Sequence, residues 1–257
     1  MDESYQEYIN RVARLTLPSA CAMQLQGIQQ SPKFVAGKPA SFPGYSVITP
    51  PAAEDSANQD FYHQVEKLQQ QLSQQLETDF FIPLPNASFH FTLADLIWDE
   101  NYRQIVAANP DFDQELRRQT AASFQEYQSE SNNQPLTWQL WGVVTRPRAI
   151  MACLVPKDHE SYQAVVKLRR SLYQNSGLIA LGIEQQYDLT AHITLGYFDQ
   201  IPNSLNRDRL CIALSQINDR LVESELPEFS IKQAQLRKFE NMFQYHREPD
   251  WTVVNFA

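Results

Sequence analysis

The sequence predicts a mixed α and β chain built from two similar lobes, and three observations carry that prediction. The order strand, helix, strand that runs from Tyr45–Thr49 to His90 recurs from Ala149–Val155 to His192. The two units are alike in size, with 44 residues from Ser46 to His90 and 41 from Met151 to His192. The composition is that of a globular protein, 257 residues of which 43% are hydrophobic and 20% charged, enough to bury a substantial core.

Each element follows from local pattern. From Glu3 to about Leu15, Tyr5, Tyr8, Ile9, Val12 and Leu15 recur near helical spacing, which predicts an amphipathic helix. Together with the Pro- and Gly-interrupted approach around Ser31 to Gly44, residues 1–43 read as a helical brace or lid. Tyr45–Thr49 is a β run stopped by Pro50-Pro51. The stretch from about Ser56 to Leu76 is a polar helix with Val65, Leu68, Leu72 and Leu76 on one face, its glutamines forming a solvated face. After the turn at Pro83–Asn86, Ser88–Leu93 reads as a strand, and Asn101–Glu130 as helix broken near Pro110.

The second lobe opens with strands Leu136–Val144 and Ala149–Val155, joined by a turn at Arg146-Pro147-Arg148. A helix starting at Asp158 or His159 runs through Val165, Leu168 and Leu172 to a stop near Gly177. A strand at Thr190–Phe198, a helix at roughly Ser204–Val222 and late strands at Phe229–Leu236 and Thr252–Phe256 complete it. The expected boundaries are therefore 1–43, 44–134 and 135–257, the last two forming one compact bilobal domain.

Thirty acidic against twenty-one basic residues give a net charge of −9, which argues against binding along duplex nucleic acid and leaves room for a small or short anionic ligand. The deficit sits in residues 1–134, with 8 basic and 17 acidic side chains, whereas residues 135–257 hold 13 of each. Cys21, Cys153 and Cys211 form no CxxC pair and cannot all be bridged within one monomer, as expected of a reduced cytoplasmic chain. The acidic start Met1–Tyr5 lacks the profile of a secretory signal, and no apolar stretch approaches membrane-spanning length. The expectation is a cytoplasmic monomer with no membrane or duplex-DNA partner.

Two of the five histidines carry one tetrapeptide pattern, His90-Phe91-Thr92-Leu93 and His192-Ile193-Thr194-Leu195. Strand alternation explains the spacing: His and Thr at i and i+2 leave one face, while Phe91, Leu93, Ile193 and Leu195 leave the other for a core. Each lobe then offers one imidazole and one hydroxyl to a common cleft. That set suits phosphoester cleavage without a metal. Near neutral pH one imidazole can accept a proton while the other donates one, and the threonine hydroxyls can bind non-bridging phosphoryl oxygens. Pseudo-symmetry leaves open which histidine is the base.

The paired motifs and the two-lobed layout from about Gly44 onwards resemble the 2H phosphoesterase superfamily, which includes bacterial RNA 2′,3′-cyclic phosphodiesterases, the 2′-5′ RNA ligase-like proteins. The flanking segments Phe42-Pro43-Gly44-Tyr45 and Pro85-Asn86-Ala87-Ser88-Phe89 differ from those of the best-known members, so the chain resembles a separate bacterial branch. The resemblance implies a bilobal α+β fold, with two antiparallel sheets facing a central groove and helices outside. It also implies metal-independent phosphodiesterase activity on 2′,3′-cyclic or 2′-5′-linked nucleotides. Where RNA-processing members often carry a basic residue soon after the second motif, this chain has Gly196-Tyr197-Phe198.

A lone strand histidine is ordinarily a core residue, and it is the repetition that turns His90 and His192 into an acid/base pair. No HxH or HExxH occurs, and Asp95, Asp99 and Asp188 lack ligand spacing, so neither metal nor cofactor is expected. Thr92 and Thr194 are assigned to substrate, with Tyr45 lining the groove and Arg237 neutralising phosphate; Arg146, Arg148 and Lys238 are the other available cations. Tyr197 shares the parity of Ile193 and Leu195 and so points to the core, and Trp98 is read as packing. His63, His159 and His246 are surface residues, and seven glycines form no phosphate loop, which disfavours an ATP-dependent ligase or kinase. The ligand expected is a small nucleotide or an RNA end. The competing expectation is a nucleotide-binding or scaffold module that keeps the groove and turns over little.

Overall fold

A computed structural model describes residues 3–76, 79–131, 134–223, 225 and 227–256; the expected outer limits at Met1 and Ala257 lie outside them. The first helix, α1 (Tyr5–Leu15), is capped reciprocally: Ser4 Oγ accepts from the Glu7 amide at 3.3 Å, and the Ser4 amide donates to the Glu7 carboxylate at 2.8 Å. Pro18 starts α2 (Pro18–Gln26), where a missing N–H costs nothing. A strap follows, containing the hairpin β1 (Phe34–Val35) and β2 (Lys38–Pro39), whose turn sets Ala36 and Gly37 at φ 50° and 74°.

The first repeat comprises β3 (Gly44–Ile48), α3 (Gln59–Gln75), β4 (Phe81–Pro83) and β5 (Thr92–Trp98), followed by α4 (Asp99–Ala108) and α5 (Phe112–Glu130) on either side of Pro110. The second contains β6 (Leu136–Arg146), β7 (Ala149–Pro156), α6 (His159–Tyr173), the short α7 (Ser176–Ala180) and β8 (His192–Phe198). Asp158 caps α6 by accepting from Ser161 N–H at 2.7 Å. That helix ends at Tyr173, before the predicted stop at Gly177, which lies inside α7. The chain closes with α8 (Arg207–Val222), β9 (Glu228–Ile231), β10 (Gln233–Asn241), β11 (Gln244–His246) and β12 (Val253–Asn255).

The strands form two five-stranded antiparallel sheets, one in the order β11-β10-β3-β5 with β12 also on β10, the other β4-β8-β7-β6-β9. This is the α+β architecture expected. The boundaries 44–134 and 135–257 do not follow the sheets, however. β4, from the first half, pairs with β8, and β10 to β12, from the second half, build onto β3. The single strand predicted over Phe229–Leu236 is two strands on different sheets, and the chain crosses at Lys232. Burial explains the crossing, since Ile231 packs in one sheet while Ala234 and Leu236 pack in the other.

Phe91 and Trp138, one from each half, meet edge to face at 5.2 Å in the shared core. Within residues 3–43 the chain is anchored to that core through α1. The buried Tyr8 hydroxyl donates to Leu154 O at 2.9 Å and accepts from Ala191 N–H at 3.0 Å, immediately before the second motif. Tyr8→Phe strands both groups and is expected to cost about 1–3 kcal/mol. Urea denaturation checks this, and an unshifted midpoint would refute it. Among the described residues no helix is long and apolar enough to cross a membrane.

Candidate active site

The two motifs adopt the same local geometry. His90 lies on an extended link and not in the strand predicted over Ser88–Leu93: residues 86–88 form a 3₁₀ turn, and Thr49 takes over the pairing of Phe91. Thr49 N–H donates to Phe91 O at 2.9 Å, and Phe91 N–H donates to Thr49 Oγ1 at 3.0 Å. β8 likewise begins at His192 and not at Thr190. His90 Nδ1–H donates to Ser88 O at 2.7 Å, and His192 Nδ1–H to Thr190 O at 2.6 Å. A carbonyl can only accept, so each neutral ring carries its proton on Nδ1 and leaves Nε2 as a base. Phe91, Leu93, Ile193 and Leu195 are fully buried, while both histidines and both threonines are half-buried on the opposite side. Neither threonine hydroxyl hydrogen-bonds to another of the described residues.

In both motifs the leucine is a β-bulge. Val47 pairs with Ala94 and Ile48 with Thr92, leaving Leu93 unpaired; Ile150 pairs with Gly196 and Met151 with Thr194, leaving Leu195 unpaired. A buried carbonyl outside the ladder needs another donor. Leu93 O accepts from buried Arg169 Nη1 at 2.7 Å, and Leu195 O from buried Gln69 Nε2 at 2.6 Å and Leu84 N–H at 3.0 Å. Arg169 belongs to α6 and Gln69 to α3, so each motif is pinned by a helix of the other repeat. Gln69 thereby departs from the solvated face predicted for its helix. Gly196 is needed beside the second bulge, since β4 passes so close that a Cβ there would lie 2.5 Å from Ile82 O.

An inserted residue changes the face of everything after it. Tyr197 pairs with Ala149, two residues from the Thr194 partner Met151, so it returns to the side of His192 and Thr194 and not to that of Ile193 and Leu195; it is buried there against Phe34, in the packing role expected of it. Asp95 pairs with Ser46, two residues from the Thr92 partner Ile48, and accepts a 2.7 Å hydrogen bond from Ser46 Oγ. The two sides of the groove meet at Met242, whose sulfur lies 3.5 Å from Tyr197 Oη and 3.8 Å from Tyr245 Oη. The Tyr245 ring packs against His90 with centroids 4.3 Å apart. Lys33, from the strap, donates to Tyr197 Oη at 3.1 Å.

Two predicted substrate residues do not serve as expected. Tyr45, one position from Ser46, leaves the opposite face of β3, where it is buried against Tyr102 and Trp251. Arg237, opposite Ser46, does reach the groove side, but each of its N–H groups already has a partner in Glu54, Gln235 or the Tyr245 carbonyl. It holds Tyr245 in place and has no donor left for phosphate. Lys238 is on the Tyr45 side, 2.7 Å from Asp113. Arg146 bonds Thr190 Oγ1 at 3.3 Å, and Trp98 closes β5 opposite Gly44.

Burial pushes the His90 imidazole down to about 4, and His192, Arg237 and Lys33 add to this against the Ser88 carbonyl. Burial also lowers His192, helped by Arg146 and Lys33, but there the Thr190 carbonyl and the Asp95 carboxylate oppose it. The pseudo-symmetry is broken: only His192 has an anion favouring its charged form. Surface cavities of about 310 and 600 Å³ lie elsewhere, beside Trp251 and between α5 and α6. Among the described residues no three His, Cys, Asp or Glu side chains are grouped to hold a metal.

Residues 33–127 match the family model 2H-phosphodiest, described as a domain of unknown function (DUF1868). The match takes in the first motif and ends before the second. The fold is shared with the conserved protein of unknown function ATU0111 from Agrobacterium tumefaciens str. C58, at 16% identity and TM-score 0.60 over 88% of this chain and 91% of that one. TT0787 of Thermus thermophilus aligns at 14% identity and TM-score 0.42 over 85% and 96%. E. coli LigT complexed with 3′-AMP aligns at 12% and 0.42 over 80% and 93%. No curated protein matches the chain.

Proposed function

We propose that this chain is a phosphodiesterase of the 2H phosphoesterase type, as the match of residues 33–127 supports, and opens 2′,3′-cyclic or 2′-5′-linked nucleotide phosphoesters by paired general acid and base catalysis. The observation that carries the reading is the pair of imidazoles, each tautomerically fixed through Nδ1 and each followed by a threonine hydroxyl with no hydrogen-bond partner among the described residues. His90, kept neutral by burial and cationic neighbours, takes the proton of the attacking water on Nε2. His192, whose charged form the Asp95 carboxylate favours, gives a proton to the ribose oxygen as the phosphorus–oxygen bond breaks. Thr92 and Thr194 donate to the non-bridging oxygens as negative charge accumulates on them. In the free protein both rings are largely neutral at pH 7, and the bound phosphate anion restores the proton His192 needs.

The test is turnover of 2′,3′-cyclic nucleotides and 2′-5′ dinucleotides in EDTA, with products separated by chromatography. The expected result is a nucleoside monophosphate from at least one substrate, undiminished by the chelator. Ligand-dependent stabilisation with no product from any of them would instead identify a binding module.

A further inference from the structure

The proposed chemistry places a phosphate between two imidazoles that are largely neutral until it binds, so the anion is best drawn in by a cation already standing in the groove. Arg237 is fully engaged, Arg146 is turned to Thr190, and Lys238 is on the far face of its strand. Lys33 is different. Its ammonium sits 4.7 Å above the Tyr197 ring and 4.9 Å above the Phe42 ring, besides its bond to Tyr197 Oη. Among the described residues no carboxylate lies within ion-pair distance of it. Two ring faces and one hydroxyl orient an ammonium without neutralising it, and two of its three N–H donors stay free.

Its position is not that of a loose surface lysine. The strap around it is fastened to both sheets: Ser31 N–H donates to Phe198 O at 2.8 Å beyond the second motif, and Phe42 N–H to Glu240 O at 2.8 Å on β10. Buried Asp199 accepts from Gln30 Nε2 at 2.9 Å and Gly37 N–H at 2.7 Å, which ties down the hairpin, and Ala40 N–H closes it onto Lys33 O at 2.9 Å. Phe34, the next residue, is buried between Tyr197 and Phe243. The Lys33 charge also acts on both histidines, disfavouring the protonated form of each.

We propose that Lys33 is the phosphate-binding cation of the groove, delivered by the N-terminal strap, so that the strap is a structural part of the site and not a lid over it. The proposal rests on the groove being the phosphate site. It names the ligand class as one carrying an anionic phosphoryl group held directly by Lys33.

Calorimetric titration of adenosine 3′-monophosphate, inorganic phosphate and adenosine into wild type, Lys33→Met and Lys33→Arg tests it. Lys33→Met keeps an apolar stem against Phe42 and Tyr197 and removes only the charge. Its affinity for monophosphate and for inorganic phosphate should fall by about 10- to 100-fold with adenosine unchanged, while Lys33→Arg retains most of the wild-type affinity. Lys33→Met binding phosphate as wild type does, or wild type binding neither phosphate ligand, overturns the proposal. Wild type that binds phosphate through Lys33 but cleaves no diester would sink the catalytic reading and spare this one. Cleavage with an unchanged KM in Lys33→Met would do the reverse.

Discussion

His90→Ala and His192→Ala are each expected to lower kcat/KM for a cyclic nucleotide by about 10²- to 10⁴-fold, and the double variant to lose little more, because the two proton transfers serve one displacement. A change of leaving group separates their roles. With a 4-nitrophenyl phosphodiester the departing phenolate needs no proton, so His192→Ala should recover most of its deficit while His90→Ala, lacking the base for water, should not. The opposite pattern would exchange the assignments. Equal losses on both substrates would remove the distinction drawn from Asp95 and Arg237.

The pH profile has a definite sign. The base must be neutral, which for His90 holds above about 4. The acid must be charged, and in the free protein His192 lies below its ordinary value of 6.5. Both limbs of kcat/KM therefore fall on the acid side of 6.5, with activity declining as pH rises through neutrality. In kcat the alkaline limb moves upward, since the bound phosphate anion favours the imidazolium. A kcat/KM optimum well above pH 7 would contradict the burial that depresses both rings.

The alternation His-x-Thr-Leu was enough to place both imidazoles and both hydroxyls opposite the core, because a period of two is a property of any extended backbone. It stopped being reliable at Leu93 and Leu195, which are ordinary strand leucines by type and bulges by pairing. Asp95 and Tyr197 were therefore not readable as groove residues. The compensating donors did leave a trace: Gln69 adjoins Leu68 on the stripe formed by Val65 and Leu72, and Arg169 occupies the stripe of Val165, Leu168 and Leu172. A polar side chain on an apolar stripe must satisfy something buried. The crossing at Lys232 left no such trace, having no glycine or proline to mark it, and Lys33 sits in an aperiodic strap whose route only tertiary packing decides.

Arg169→Met is expected to destabilise the protein by about 1–3 kcal/mol and to reduce turnover as well, because the residue supports both the fold and the first motif. Methionine fills much of the arginine volume, so the loss comes mainly from Leu93 O, a buried carbonyl left with no donor. Relief of burying a guanidinium offsets part of this. Arg169→Lys can reach one carbonyl but not Leu93 O and Tyr187 O together, and should fall between. Gln69→Leu at the equivalent site should cost less, since Leu84 N–H still donates to Leu195 O. Urea denaturation and kcat/KM, measured on the same four proteins including wild type, decide between two accounts. If the bulge aims the His90 and Thr92 side chains, turnover falls at temperatures where Arg169→Met remains fully folded. If stability drops and the folded variant cleaves at the wild-type rate, Arg169 merely satisfies a carbonyl, and the groove face must be set by Thr49 and the β3 ladder alone.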